Sequence, residues 1–395
     1  MIKGLYTAPM GTDILGCVAH GLREHTNGDA EALRKATILL PTRRAIRTME
    51  EILLSSSGSK TVLLPTLAAI GDIELPTPED EKDRPPPRSI SGVERLYSLL
   101  PFLEKHGLGG GRFEAAWQMA QHVAKLIDLL QTEDLTPAAL DAIAPDTQAQ
   151  HWQDNVGAFQ RVANDWLAHL DDTQRINSAA GRTLRITRLI EQWENRPPTD
   201  PVWLIGSTGS IAVVRRLMRT VLNLPQGVVM LPGLDMVMND GAWGAFSDAH
   251  PQALLRMTLN ALGYDRREVQ IWPGCTPDAV IADRAAWLSN ALSPQPDMMA
   301  PQAPERIALC TPATLHEEAE IIAHVCARAF AENTNPSLVV VANDPGMAAR
   351  LSPILAAQGI ELDASAGLVL EQTGLGVRLS ALLRLFGPSA DIATL

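Results

Sequence analysis

The stretch Pro201–Asp235, PVWLIGSTGSIAVVRRLMRTVLNLPQGVVMLPGLD, constrains the fold more than any other part of the chain. A short apolar run, Val202 to Ile205, leads into the turn GSTGS. Ile211, Val214, Met218, Val221 and Leu222 then recur at helical spacing, while Arg215, Arg216 and Arg219 fall largely on the other side. The pattern predicts strand, glycine-serine loop, helix, strand: an α/β crossover.

A glycine-rich loop between a strand and a helix N-terminus can cradle phosphate, because its N–H groups and the helix dipole converge there. A working P-loop also needs a lysine for the β and γ phosphates and a Ser or Thr for magnesium, in the order G-x-x-x-x-G-K-[ST]. No such string occurs in the 395 residues. The nearest approach, Gly58-Ser59-Lys60-Thr61, has its lysine one place late and follows a serine tract instead of a strand. It reads as a polar turn before a strand over Thr61 to Leu64.

The length suits two or three domains with ample core. Hydrophobic content of 46% and charged content of 20% are those of an ordinary globular protein. A net charge of -12 argues against nucleic-acid binding through the whole surface and leaves room for a local basic track. Cys17, Cys275, Cys310 and Cys326 form no C-x-x-C pair and have no histidine at ligand spacing, so they read as buried thiols in a reducing compartment, with no zinc or iron-sulfur site. The N-terminus lacks the apolar core of a signal peptide and no run approaches a membrane span, so a cytoplasmic protein is expected.

Along the chain, strands are expected at Ile2 to Tyr6 and Ala36 to Leu40, with a helix from Asp13 to about Glu24, capped by Asp13 or Thr12, and another from Ala45 to Leu54. Thr66 to Ile73 reads as loop or turn, and the proline- and charge-rich Leu75 to Arg88 as a linker. From Ser91 to about Trp193 the periodicity is helical only, a helical insertion, before Val202 returns the chain to a parallel sheet. Helices are expected around His250 to Leu262 and Ala285 to Leu292, then a linker over Ser293 to Pro304. A second α/β unit follows. Its strands are expected at Ile307 to Cys310, Ser337 to Ala342 and Ile360 to Leu362, and its helices run to Phe330, from Pro345 to Gln358 and from Thr373 to Phe386. Thr314 and Glu317 suggest a capping box for the first of these helices. Only part of a second sheet is built by Leu395, so a longer natural protein is expected.

Chemical candidates are few. Pro41-Thr42-Arg43-Arg44 sits where a strand meets a helix, within the basic cluster Arg34, Lys35, Arg43, Arg44 and Arg47. Thr42 is suited to cap that helix, leaving Arg43 or Arg44 for a nucleic-acid phosphate; a capped helix with a solvated cationic face is the alternative. The same pair of readings applies to Arg215, Arg216 and Arg219. Asp200, Asp235, Asp240 and Asp248 make no nuclease or glycosidase set, GSTGS is not a G-x-S-x-G elbow, His316 adjoins a capping residue, and Trp203 reads as core.

Several segments in order resemble the AddB family, double-strand-break-repair subunits of the AddAB helicase-nuclease, in the form found in alphaproteobacteria. They are LLPTRRAIRTMEEIL (Leu39 to Leu53), LLPTLAAIGDIE (Leu63 to Glu74), WLIGSTGSIAVVRRLMRTVLNLPQGVVMLPGLD (Trp203 to Asp235), HPQALLRMTLNALGYDRREV (His250 to Val269), and HEEAEIIAHVCARAF through DASAGLVLEQTGLGVRLSALLRL (His316 to Leu385). The resemblance implies an α/β, superfamily 1 helicase-like fold. A RecA-like parallel-sheet domain would span residues 1–75 and 200–295, a helical subdomain 88–197 would be inserted in it, and a truncated second RecA-like domain would begin at 305–395.

It also implies that the Pro41 to Arg44 segment lies along single-stranded DNA, making Thr42, Arg43, Arg44 and Arg47 the candidate DNA-binding residues. The nucleotide site is expected to be degenerate at Gly11, Thr12, Gly206, Ser207, Gly209 and Ser210. Where lysine and threonine should follow the first strand stands Thr7-Ala8-Pro9-Met10-Gly11-Thr12, where paired acids should end the Pro201 strand stands Gly206-Ser207, and Ala342-Asn343 replaces a phosphate-contacting arginine. No catalytic residue, metal or cofactor is therefore expected within this chain. The family implies an iron-sulfur cluster in a missing C-terminal nuclease part, with ATP and magnesium used by an AddA-type partner, and a single- or double-stranded DNA end as substrate. The expected function is an inactive, strand-guiding portion of the subunit. A nucleotide- or small-molecule-binding α/β enzyme using Gly206 to Ser210 and a scaffold for AddA alone are the alternatives.

Overall fold

A computed structural model describes residues 3–56, 63–73, 87–143, 150–296, 307–333, 337–344, 346–364, 367, 370 and 373–386. The chain forms two compact units, Met1–Pro304 and Glu305–Leu395.

The first unit is α/β, built on a six-stranded parallel sheet: β1 (Gly4–Ala8), β2 (Thr37–Leu40), β3 (Thr66–Ala69), β6 (Val202–Ile205), β7 (Gly227–Pro232) and β8 (Gln270–Ile271). The spatial order is β3-β2-β6-β7-β1-β8, with Ile38 opposite Trp203, Trp203 opposite Val228 and Leu5 opposite Val229. Alternation along each strand divides the core. Leu5, Leu39, Val202, Leu204, Val229 and Leu231 face one side; Tyr6, Ala8, Ile38, Leu40, Trp203, Ile205, Val228 and Met230 face the other. Both faces are apolar because helices cover both. The second face carries α1 (Ile14–His25), α2 (Ala30–Lys35) and α3 (Arg43–Ser56), through Val18, Leu22, Leu33, Met49 and Leu53. The first carries α7 (Ser178–Asn195), α8 (Ala212–Asn223) and α10 (Ala253–Leu262), through residues such as Ile186, Trp193, Leu217, Val221 and Leu259.

Between β3 and β6 lie α4 (Gly92–Lys105), α5 (Phe113–Thr132), α6 (Gln150–Asp172) and α7. The first three close a separate core around Leu99, Leu103, Ile127, Val162 and Trp166. Arg95 ties α4 to α5 through two bonds to Asp128, 2.8 and 2.9 Å, and one to the Ala124 carbonyl, 2.9 Å. Helices α9 (Asp240–Ala245) and α11 (Ala279–Leu292) complete this unit.

Asp165 on α6 accepts from Lys105 Nζ at 2.7 Å and from His106 Nε2 at 2.8 Å. The hydrogen bond from Lys105, then that from His106, holds its carboxyl below the usual carboxylate range. A carboxyl depressed in the folded state stabilises the fold above its unfolded value, and that contribution disappears as pH falls through the folded one. Asp165→Asn is therefore expected to lower the urea midpoint of the full chain at pH 7, the deficit shrinking as pH falls below about 4. A deficit unchanged at low pH would show that the carboxylate contributes nothing through its charge.

Several expectations are corrected. The third strand is Thr66–Ala69, paired with β2, and not Thr61 to Leu64, where Leu63 and Leu64 belong to no strand. Gly58-Ser59-Lys60-Thr61 and most of the Leu75 to Arg88 tract lie outside the described residues. The insertion is not purely helical: β4 (Arg88–Ser89) pairs in parallel with β5 (Arg175–Ile176). Cys17 and Cys275 are bonded as a disulfide and Cys310 is exposed, so of the four only Cys326 is a buried free thiol.

The second unit holds α12 (Leu315–Glu332), α13 (Gly346–Ala356) and α14 (Gly374–Leu385). Ala319, Ala323 and Cys326 pack against Met347, Leu351 and Leu355. Ile307 to Cys310, Ser337 to Ala342 and Ile360 to Leu362 form no strands: a short apolar run becomes one only by pairing, and none pairs among the described residues. The Thr314 side chain caps α12 by accepting from Glu317 N–H at 3.1 Å, but the Glu317 carboxylate reaches Ala313 N–H, 2.7 Å, so the reciprocal half of a capping box is displaced by one residue. Among the described residues no helix is long and apolar enough to cross a membrane.

Candidate nucleotide site and nucleic-acid interface

In a parallel sheet, a crevice opens at the carboxyl ends of two neighbouring strands whose outgoing connections leave over opposite faces. Two such places lie beside the candidate residues. After β1 the chain enters α1 on the second face, whereas after β7 it runs toward α10 on the first. After β2 it enters α3 on the second face, whereas after β6 it enters α8 on the first.

The crevice between β1 and β7 is crowded by side chains, although Gly11 and Asp13 remain exposed. Gly233 donates to the Ala8 carbonyl at 3.0 Å, and a Cβ at Gly233 would stand 3.4 Å from Met10 Cγ. Gly11 has φ +82° and lies under Ile281 of α11, whose Cγ2 would be 2.9 Å from an added Cβ, so only glycine fits. Thr12 Oγ1 donates to the Pro9 carbonyl at 2.7 Å, closing a turn. Asp13 caps α1, its Oδ1 accepting from Gly16 N–H at 3.0 Å. A carboxylate thus occupies the donors and the dipole end that would attract phosphate.

The crevice between β2 and β6 is open. A groove of about 340 Å³ is lined by Pro41, Gly206, Ser207, Thr208 and Ser210 from the sheet edge, and by Arg182 and Thr183 from α7. Pro41 Cγ would lie 3.8 Å from a Cβ on Gly206, which places the PTRR and GSTGS turns side by side. The GSTGS turn is held from within. Gly206 N–H donates to the Met230 carbonyl, 2.9 Å, and Gly209 N–H to Ser207 Oγ, 3.2 Å. Arg215 Nη1 donates to the carbonyls of Gly209 and Ser210 at 2.7 and 3.1 Å, and Thr258 Oγ1 to that of Thr208 at 2.7 Å. Gly209 has φ +67° and Thr258 Oγ1 would be 2.6 Å from its Cβ, so this turn also excludes a side chain. These bonds hold the loop shape; they leave Gly206 and Gly209 N–H unable to bind phosphate.

The structure brings Thr42 close to Gly206 and Ser207 through the β2–β6 pairing, but β7 stands between those residues and Gly11 and Thr12. Thr42 Oγ1 accepts from Ala45 N–H at 3.1 Å, capping α3. Arg43 Nε donates to Asp72 at 2.8 Å, on an exposed surface that screens the pair. Arg44 and Arg47 are exposed, and Arg47 shares its surface with Glu50 and Glu51. Of the second arginine set, Arg215 serves the GSTGS turn and Arg219 donates to the Ala261 carbonyl, while Arg216 is exposed. Asp235 is buried and accepts from Val237 and Met238 N–H, each 2.9 Å, a turn-capping role. Beside it Arg266 donates to the carbonyls of Asp235 and Met238 at 2.9 and 2.7 Å; burial lowers its pKa against the pull of Asp235 and Asp265.

Sequence reasoning missed Arg182 and Thr183, which form the opposite wall of the groove. Arg182, Arg185 and Arg188 recur every third residue in α7, a signal that was present but carried no strand-end context. Among the described residues no cluster of three or more potential metal ligands occurs. No family model matches the chain, and no curated protein does.

Proposed function

We propose that the chain is a helicase-like portion of an AddB-type subunit that guides a DNA strand without hydrolysing ATP, an AddA-type partner supplying the motor. The observation that carries this reading is the contrast between the two crevices. Beside β1, where a triphosphate would bind, Asp13, Met10 and Ile281 occupy the space, while the β2–β6 edge stays open between Pro41 and Arg182. The strand order supports it, since β7 lies between β1 and β6 in an arrangement compatible with a RecA-like fold, with α4–α6 as an inserted subdomain. In this reading the phosphates of a single strand meet Arg44, Arg47 and Arg182, and the backbone edge at Thr42 positions it.

Fluorescence anisotropy with a labelled oligothymidine tests it. The expected result is weak binding with a log–log salt slope of about -0.7 per phosphate contact. Binding should fall by roughly a hundredfold or more when Arg44, Arg47 and Arg182 are together replaced by glutamate, since each such contact contributes on the order of 1 kcal/mol. ATP turnover should stay at background. Binding indifferent to those arginines, or turnover lost on altering Gly206 to Gly209, would overturn the reading. The hydroxyl-lined groove at a switch point also favours a second reading, a small-molecule site. A thermal-shift screen in which nucleotides, and not oligonucleotides, stabilise the chain would select it.

A further inference from the structure

Cys17 is half-buried on α1 and Cys275 is buried in the loop after β8; their sulfurs are joined across 258 residues, with Cα atoms 5.8 Å apart. That Cα separation is one a disulfide spans without moving the backbone. Both joined segments govern the loop after β1. Cys17 N–H donates to the Asp13 carbonyl at 3.0 Å, within the first turn of α1. On the other side, only Thr276 and Pro277 separate Cys275 from Asp278, whose carboxylate caps α11 by accepting from Ile281 N–H at 2.8 Å. Ile281 is the side chain lying over Gly11.

We propose that Cys17 and Cys275 form a redox latch. Oxidised, it pins the first turn of α11 over the Gly11 loop; reduced, it releases that turn and frees the Gly11 loop to move. The oxidant is a small disulfide of the glutathione type. The Cys17 thiolate, the more accessible of the two, attacks one of its sulfurs, the S–S bond breaks, and one thiol departs with a proton. The Cys275 thiolate then attacks the Cys17 sulfur of the mixed disulfide and expels the second thiol. Two protein thiols are oxidised while one small disulfide is reduced to two thiols, and a dithiol reverses the exchange.

The surrounding core survives in both states because it is held without the bond. Trp272 N–H donates to the Thr7 carbonyl at 2.9 Å and its indole N–H to the Cys17 carbonyl at 3.2 Å. A reduced Cys17 thiol faces the Gly274 carbonyl at 3.8 Å. The change is therefore confined to the turn between Pro273 and Ile281 and the loop beneath it. The latch does not depend on whether the open groove binds DNA.

Hydrogen exchange of the full chain, read by mass spectrometry after oxidised glutathione or dithiothreitol, tests the latch, with Cys17→Ser as a permanently reduced form. The oxidised sample should give a cross-linked peptide containing Cys17 and Cys275. Exchange around Asp278 and around Gly11 should be several-fold faster after reduction, and equally fast in Cys17→Ser under both conditions. Tm should fall by roughly 4–8 °C on reduction. The exposed Cys310, changed to serine, should leave all of this intact. Should Cys17→Ser fail to fold, the two wild-type states carry the test. Absence of the cross-link in oxidised glutathione, or identical exchange in both states, overturns the proposal.

Discussion

Gly227→Ala is expected to prevent the first unit from folding. A Cβ at Gly227 would stand 1.6 Å from the Val221 carbonyl oxygen and 2.7 Å from its carbon. Both are backbone atoms, so no rotamer change relieves the overlap. Val221 lies in the last turn of α8, its carbonyl accepts from Leu224 N–H at 3.0 Å, and Gly227 opens β7 only three residues after Leu224. Moving either would drag Val221, Val228 and Val229, all buried, out of register. The cost should exceed about 4 kcal/mol, a large share of a domain's stability of roughly 5–15 kcal/mol. Soluble yield and thermal melting of the full chain check it. Gly244→Ala, at an exposed position of α9 with nothing within 4 Å of an added Cβ, is the matched control and should be neutral or slightly stabilising. A Gly227→Ala protein melting within a few degrees of wild type would show that α8 and β7 are not fixed to one another as described.

Trp272→Ala should lose about 3–5 kcal/mol in urea unfolding, the usual cost of truncating a buried tryptophan. Trp272 is 1% exposed and stands edge-on to Tyr6 and to Trp203, with ring centroids at 5.0 and 5.2 Å. Gly21 makes room for it, since a Cβ there would lie 2.7 Å from the indole. The ring closes the sheet edge where β8 contributes only two residues. Trp272→Phe keeps a ring against Tyr6 and Trp203 but loses the indole bond to the Cys17 carbonyl, so its loss should be smaller, about 1–2 kcal/mol. Equal losses for both variants would mean that ring packing contributes little.

How much of this was legible differs by element. β1, β2, β6 and the helices after them were readable because apolar runs and helical periodicity are local properties, and Asp13 is a strong cap beside a periodic segment. The third strand was misplaced because Thr66-Leu67-Ala68-Ala69 has weak strand propensity, and pairing with β2 overrode it. β8 is too short to leave a pattern. Nothing local announces that Cys17 and Cys275 meet, since adjacency across 258 residues is made by strand order, and strand order is not written in periodicity. That no P-loop string and no paired acids follow these strands was visible as text. That Met10 and Ile281 pack beside the loop after β1, and that α7 walls the other crevice, required the packing.

Helix α7 belongs to the insertion by position in the chain but to the sheet by packing, since Ile186, Leu189, Ile190 and Trp193 share a core with Leu39, Leu204 and Leu217. Helices α4 to α6 have an interior of their own. Divergence among descendants of this chain should therefore be uneven. Surfaces on α4 to α6 are free to be remodelled for new attachments, whereas a change on α7 is filtered twice, once by the interior it plugs and once by the groove wall it forms.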